Sequence, residues 1–333
     1  MITAQPCMTT ATPACKKTYI RVPPRQALSG ADKFTRALVG SALSPMYGLR
    51  ASRQGLPGLG FAMDSATLAL RALLRKKGGP SHADLSYAEI YRMLFWPVES
   101  TRYFEFELAW RFLANASIRR YLDVSSPRLF PLAFLARRGG VTAELINPDR
   151  KDLQVTTSLL RACGLEERCH TSNCLIEEAA FASASFDAIT SLSVVEHIPQ
   201  DQTAVEGIWK MLRPGGKLVL SMPCAAQAEE QYVDVDHFSL QAPDKNGFYF
   251  LQYVYDEALL QERFYSVLGT PAQFAVFGEK DPGSLQRGLL KKWSGAKYPK
   301  WKEPYLMAQE FQAYARPQDL PGEGVIVMEF VKP

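Results

Sequence analysis

The chain has 333 residues, 47% of them hydrophobic and 22% charged, and its 38 basic and 34 acidic residues leave a formal charge of +4. That balance is ordinary for a globular protein with a sizeable core, in one large domain with additions or two small ones. No apolar run approaches the roughly 18 residues needed to span a bilayer, and the N-terminus lacks the layout of a secretory signal.

Cys7, Cys15, Cys163, Cys169, Cys174 and Cys224 show no C-x-x-C spacing, which argues against a zinc site. Scattered cysteines in a chain of this size read as free thiols in a reducing cytoplasm, so a cytoplasmic location is expected. Residues 1–30 carry Lys16, Lys17, Arg21 and Arg25 and no acid. They read as a flexible basic tail, with nucleic acid or an acidic membrane as the partners its charge would suit.

Residues 31–115 read as a helical N-terminal extension. Residues 31–60 mix Gly, Pro and Ser with apolar residues and give no clear pattern. "DSATLALRALLRKK" (Asp64–Lys77) has an acidic start, leucines at helical spacing and a basic end, which predicts a helix. "SYAEIYRMLF" and "ESTRYFEFELAWRFLAN" predict two more, separated at Pro97.

From Ile118 the pattern changes to short β-rich runs, "IRRYLDV", "VTAELIN", "FDAITSL" and "KLVLSMP", alternating with helical stretches at Arg128–Arg138, Asp149–Cys163 and Asp201–Leu212. Alternation of this kind predicts a doubly wound, mostly parallel α/β sheet covered on both faces. Two late strands are expected at Ala272–Lys280 and Gly324–Pro333. Residues 281–323 between them have little regular pattern and read as an insertion in a domain spanning 116–333.

In order and spacing, "YLDVSSP", "SFDAITSLSVVEHIP" and "LRPGGKLVLSMP" resemble three motifs of class I S-adenosylmethionine-dependent methyltransferases, of the type 11-like kind. The resemblance covers about residues 115–225. It implies a Rossmann-like fold, S-adenosylmethionine as cofactor, and a ligand crevice beyond the carboxyl ends of the first and fourth core strands. Asp123, Ser125, Ser126, Arg128, Ser191 and Leu192 would flank that crevice.

The sequence departs from the family at two places. The usual Asp-x-Gly-x-Gly-x-Gly keeps Asp123, but Ser125, Pro127 and Leu129 replace the glycines. Ser126 is expected to cap a helix beginning at Pro127. Arg128 either faces the cofactor carboxylate or is a solvated helix charge. The acid expected at the end of the second core strand falls on Leu145, beside Glu144; either a bulge brings Glu144 into place, or Asn147 or Asp149 substitutes from the loop, with Asn147 preferred. Asn173 stands where an adenine-facing acid is usual, and also reads as a turn residue.

For the acceptor side the candidates are His197, after the fourth core strand, and Asp236 and His237 in "QYVDVDHFS". Any of them could accept a proton from an acceptor, and each also reads as a packing or loop residue. No metal is expected. "RGLLKKWSGAKYPKWK" (Arg287–Lys302) has six basic residues, two Trp and one Tyr without an acid. It suits a lid over a small acceptor better than a nucleic-acid contact, as no nucleic-acid module is recognisable. The resulting expectation is methyl transfer to a small molecule. The alternatives are a non-catalytic methyltransferase-fold protein that has lost its cofactor, and a nucleic-acid methyltransferase. A nicotinamide-dependent oxidoreductase lacks its G-x-G-x-x-G.

Overall fold

The computed structural model describes residues 15–24, 27, 29–76, 85–237, 241–293 and 299–333. A first strand, β1 (Lys16–Ile20), precedes four helices: α1 (Gly30–Arg53), α2 (Leu59–Lys76), α3 (Tyr87–Phe95) and α4 (Arg102–Leu113). Ser29 caps α1 by accepting from the Asp32 amide, and Ser86 caps α3 by accepting from the Glu89 amide. Helix α2 starts five residues before the acidic start seen in the sequence, and Lys77 lies outside the described residues.

The alternating segment follows as β2 (Arg120–Val124), α5 (Leu129–Arg137), β3 (Thr142–Ile146), α6 (Arg150–Cys163), β4 (Cys169–Ser172), β5 (Phe186–Leu192), α7 (Asp201–Met211) and β6 (Leu212–Cys224). Asp149 caps α6 through the Lys151 and Asp152 amides, and Gly164 ends it with a left-handed φ of 70°. Next come β7 (Glu229–Val233), β8 (Tyr249–Val254), α8 (Glu257–Leu260), a π-turn at Gln261–Tyr265 and α9 (Ser266–Leu268). The chain ends with β9 (Gln273–Glu279), α10 (Ser284–Trp293), α11 (Glu303–Glu310), β10 (Phe311–Tyr314) and β11 (Gly324–Val331).

Eight strands form one sheet in the order β10-β9-β11-β6-β5-β2-β3-β4. The run from β6 to β4 is parallel, and β11 runs antiparallel between β6 and β9. The chain leaves β2 towards β3 and β4, then returns to β5 on the other side. The order therefore reverses between β2 and β5, which opens a crevice at their carboxyl ends. Side chains alternate across β2. Tyr121 points into a core built with Phe61, Phe106, Phe130 and Phe134, and Leu122 into one built with Ile189, Ile208 and Phe264. Helices α2 and α4 share the first of these cores, with α4 packed on β6 and β11.

Two expectations need correction. Part of the basic tail is a strand: β1 pairs in parallel with β7, from Lys16 opposite Glu229 to Ile20 opposite Val233. Lys16 and Lys17 meet Glu229 and Glu230 at 2.8 and 3.2 Å, and Tyr19 stacks on Tyr232. The partners are more than two hundred residues away, so no local signal marks the strand. Residues 1–14 and Arg25 lie outside the described residues. The 281–323 insertion is likewise structured, with α10, α11 and the edge strand β10. Buried Glu279 starts α10: Oε1 accepts from the Gly283 amide at 2.6 Å, and Oε2 from the Leu285 amide at 2.8 Å and the Ser284 hydroxyl at 3.0 Å.

Candidate active site

Asp123 organises the first wall of the crevice without facing it. Its Oδ1 accepts from the Ser126 amide at 3.0 Å, and its Oδ2 from the Thr190 hydroxyl at 2.6 Å and the Tyr121 hydroxyl at 3.0 Å. The carboxyl is buried, and burial raises its pKa to about 6 against the pull of those bonds. It thereby locks the end of β2 to β5.

Ser125 takes φ 55°, a left-handed conformation that glycine adopts freely. The loop thus keeps a glycine-like backbone with a serine, whose hydroxyl bonds the Ile146 carbonyl at 3.0 Å. Ser126 does not cap a helix, contrary to expectation. Helix α5 begins only at Leu129, and the Ser126 hydroxyl instead accepts from the Leu192 amide at 3.0 Å. The segment after β2 is held to the segment after β5, and that tie takes the oxygen a cap would use. The Ser191 hydroxyl reaches the Val124 carbonyl at 3.4 Å, a third link across the same seam.

On the β3–β4 side the polar groups are paired with one another. Arg128 is bonded to Asp152 and lies 3.6 Å from Glu89 of α3, so it is a paired, partly exposed charge. Asn147 donates to the other Asp152 oxygen at 3.1 Å and accepts from the Asp149 amide at 2.8 Å. Asn173 donates to the carbonyls of Asn147 and Pro148 at 2.8 and 2.9 Å, bridging the loops after β3 and β4. Leu145 is buried in the sheet, and Glu144 is half-buried. The carboxylate at this end is Asp152, which sequence reasoning missed. Its signal was available in Asp149 and Asp152, an N-cap acid followed by a second acid in the first turn, which faces back to the strand ends.

A cavity of about 590 Å³ opens at the carboxyl ends of β5 and β6. The Glu99–Arg102 segment at the start of α4, Ser193, Glu196, His197, and the β7–β8 sheet with Gln231 and Leu251 line it. Helix α10 closes it with Leu285, Leu289 and Leu290. Glu105 underlies the cavity, fully buried. It accepts from Arg102 at 2.7 Å, Thr101 at 2.7 Å, Ser193 at 2.7 Å and Ser221 at 2.6 Å. Burial pushes this carboxyl up, yet Arg102 and the three hydroxyls outweigh it and hold the pKa below the usual value. Ser193, held by Glu105 at φ 49°, belongs to both crevice and cavity.

Glu196 is 1% exposed, burial raises its pKa to about 8, and its Oε2 has no hydrogen-bond partner among the described residues. His197 lies 2.6 Å through Nδ1 from the Leu251 carbonyl. A carbonyl only accepts, so Nδ1 carries the proton and Nε2 is the basic nitrogen. Burial lowers its pKa to about 4, leaving the ring neutral. Burial also raises Glu323, at the cavity wall, to about 7, although Gln231 donates to it at 2.9 Å. His237 lies at the cavity margin, with its pKa lowered by burial, and shares a smaller recess with Asp236. Among the described residues no group of three or more His, Cys, Asp or Glu is placed to hold a metal ion.

Of the cations and aromatics expected over the acceptor, Lys300 alone among the described residues lines the cavity. Lys291 is exposed, Lys300 pairs with Glu99 at 3.1 Å, and Trp301 lies against α1. Tyr298 and the side chains of Lys292 and Trp293 lie outside the described residues. The apolar face of α10 supplies the cover instead.

Residues 122–220 match a family described as a methyltransferase domain. Over 102 residues the chain is 31% identical to methyltransferase GfsG of Streptomyces halstedii, covering 31% of this chain and 37% of that protein. Over 104 residues it is 31% identical to the ubiquinone biosynthesis O-methyltransferase of Alkalilimnicola ehrlichii, covering 31% and 41%. The chain spans less than half the length of these relatives. Among solved structures, the 1,6-didemethyltoxoflavin-N1-methyltransferase of Burkholderia thailandensis aligns over 71% of this chain and 80% of its own, at 16% identity and a TM-score of 0.46.

Proposed function

We propose that residues 122–220, which match a methyltransferase-domain family, form a class I S-adenosylmethionine-dependent methyltransferase domain, and that the chain transfers a methyl group from S-adenosylmethionine to a small acceptor held in the cavity over β5 and β6. The observation that carries this reading is Ser193, which directly follows β5 at the edge of the crevice and lines the cavity. One ligand beyond β2 and another beyond β5 would meet there. The cofactor, when bound, supplies an electrophilic methyl group and its own leaving group, so alignment and exclusion of water are the main demands on the protein.

The residues present suit the two ends of the cofactor differently. Ser125 and Ser193 keep left-handed backbone on both walls of the crevice. Arg102, beside Ser193, is the cation nearest the junction and would face a carboxylate. At the other end Asn147 and Asp152 would hold ribose hydroxyls in place of the acid that Leu145 replaces. His197 Nε2, neutral, is the group that would take a proton from the acceptor, and Glu196, protonated up to about pH 8, would instead donate a hydrogen bond to it. Asp236 and His237 would act at the margin of the cavity.

An acceptor of small size is supported by the apolar cover from Leu285, Leu289 and Leu290. It is also supported by the internal use of Lys300 and Trp301, which a nucleic-acid contact would leave outward. The described cysteines, Cys15, Cys163, Cys169, Cys174 and Cys224, are free thiols, and this fits a cytoplasmic location. The reading without cofactor draws its support from Leu145 and the Arg128–Asp152 pair.

Calorimetric titration of the full chain with S-adenosylhomocysteine decides between the two. One site per chain is expected. No heat and no thermal shift at millimolar ligand would leave the fold as a non-catalytic scaffold.

A further inference from the structure

Helix α1 is built inside out. Amphipathic helices of globular proteins turn their large apolar side chains to the core. Helix α1 attaches to the body through small and polar residues. Gly40 packs where a Cβ would come within 3.2 Å of the rings of Trp96 and Trp301. Ser41 bonds the Tyr91 hydroxyl at 2.8 Å, Ser44 bonds the Phe95 carbonyl at 2.9 Å, and Ala51 is fully buried. The large side chains point away: Phe34 is 72% exposed, Leu38 63% and Leu49 55%, with Val39 and Met46 also exposed. Phe34, Leu38 and Leu49 fall within one narrow angular sector at 3.6 residues per turn, and the stripe runs about 22 Å along the helix.

The charge around this stripe is mostly positive. Lys33 and Arg36 stand at its start, Arg50 and Arg53 at its end, and Asp32 is the acid of the helix. Residues 15–76 carry eleven Lys and Arg against Asp32 and Asp64, whereas the rest of the chain carries 27 basic and 32 acidic residues. The positive charge of the protein is therefore concentrated in the segment that holds the stripe. We propose that α1 is a peripheral docking surface for an anionic lipid bilayer, lying in the interface with its apolar stripe among the acyl chains and its terminal cations at the headgroups. No helix among the described residues is long and apolar enough to cross a membrane, so contact is along the surface. The stripe lies on the helix that packs against α11 and the Lys300–Lys302 turn, and Lys300 lines the cavity. Docking would bring the cavity rim to the bilayer. The inference does not depend on methyl transfer.

Flotation of the full chain with vesicles of phosphatidylcholine, alone or mixed with phosphatidylglycerol, tests it. Co-flotation with the mixed vesicles is expected, weakened by salt. The triple variant Phe34→Ser, Leu38→Ser, Leu49→Ser, checked for folding by circular dichroism, should bind at least about tenfold less. If that variant does not fold, Arg50→Ala with Arg53→Ala should reduce binding to the mixed vesicles and remove most of the salt dependence. No flotation with mixed vesicles, or flotation undiminished in the folded variants, overturns the proposal. So does a dimer in sedimentation velocity that the serine variant abolishes, because a second copy would then cover the stripe.

Discussion

Two arginine–carboxylate pairs stand at opposite ends of the crevice, and they are not equivalent. Arg102–Glu105 lies under the cavity, with Glu105 at 0% exposure and four donors on its two oxygens. Arg128–Asp152 lies at the far end, with both side chains a little over a quarter exposed. A buried carboxylate with every lone pair engaged is a fixed part of the fold. Removing it leaves a cation and several hydroxyls uncompensated. A partly solvated pair is weakly held, because water competes for both partners. The first pair should therefore behave as architecture and the second as a contact that a ligand can exchange.

The largest effect follows from the first pair. Glu105→Ala leaves Arg102, Ser193 and Ser221 without their shared acceptor and should cost about 3–5 kcal/mol of stability. Urea unfolding of the purified variant measures this. A loss below about 1 kcal/mol would put Glu105 in the same class as Asp152 and remove the contrast.

A second effect concerns Glu196, the buried acid beside it. Burial keeps Glu196 protonated in the folded chain up to about pH 8, whereas the unfolded chain releases that proton near the ordinary 4.5. Folding thus takes up a proton between those values, and stability must fall as pH rises from about 4.5 to 8. Asp123 and Glu323, raised to about 6 and 7, act with the same sign. Glu196→Gln should remove most of its own share, so that the variant gains roughly 2–4 kcal/mol on the parent between pH 5 and pH 8.5. Unfolding curves at both pH values check it. Equal slopes would mean that Glu196 is not held protonated in the fold.

The parallel strands and their order of use were legible, because apolar runs alternating with amphipathic stretches permit few other folds. The strand order placed Asp123, Ser126, Ser191 and Leu192 together, and the motifs anticipated that neighbourhood. What each residue does there was less legible. Asp123 and Ser126 read as ligand-facing and cap-forming, but they spend their bonds on each other and on Leu192 and Thr190 across the seam. Those partners are more than sixty residues away in the chain, beyond any local pattern. Glu105 lay in a stretch read only for its helical period, and Asp152 was passed over for Asn147, which turns out to be its hydrogen-bond donor. β1 was hidden for the same reason, since a strand that pairs with residue 229 has no sequence neighbour to reveal it.

The smallest effect on stability carries the sharpest information about the ligand. Asp152→Asn keeps the side-chain shape and one accepting oxygen but removes the charge opposite Arg128. As a partly exposed pair it should cost less than about 1 kcal/mol in unfolding. If Asp152 holds ribose hydroxyls, however, the same change weakens their hydrogen bonds and should lower S-adenosylhomocysteine affinity by about tenfold or more, since bonds to a charged acceptor contribute about 1.5–3 kcal/mol. Arg128→Met separates the causes. It removes the cation that competes for Asp152, so affinity should hold or rise if the carboxylate is the ligand's partner, and fall if Arg128 itself contacts the ligand. Parallel calorimetry and unfolding on both variants give four numbers. Unchanged affinity in both, with the parent binding normally, would assign the pair to the loops alone and shift the adenosine end of the cofactor away from Asn147 and Asp152.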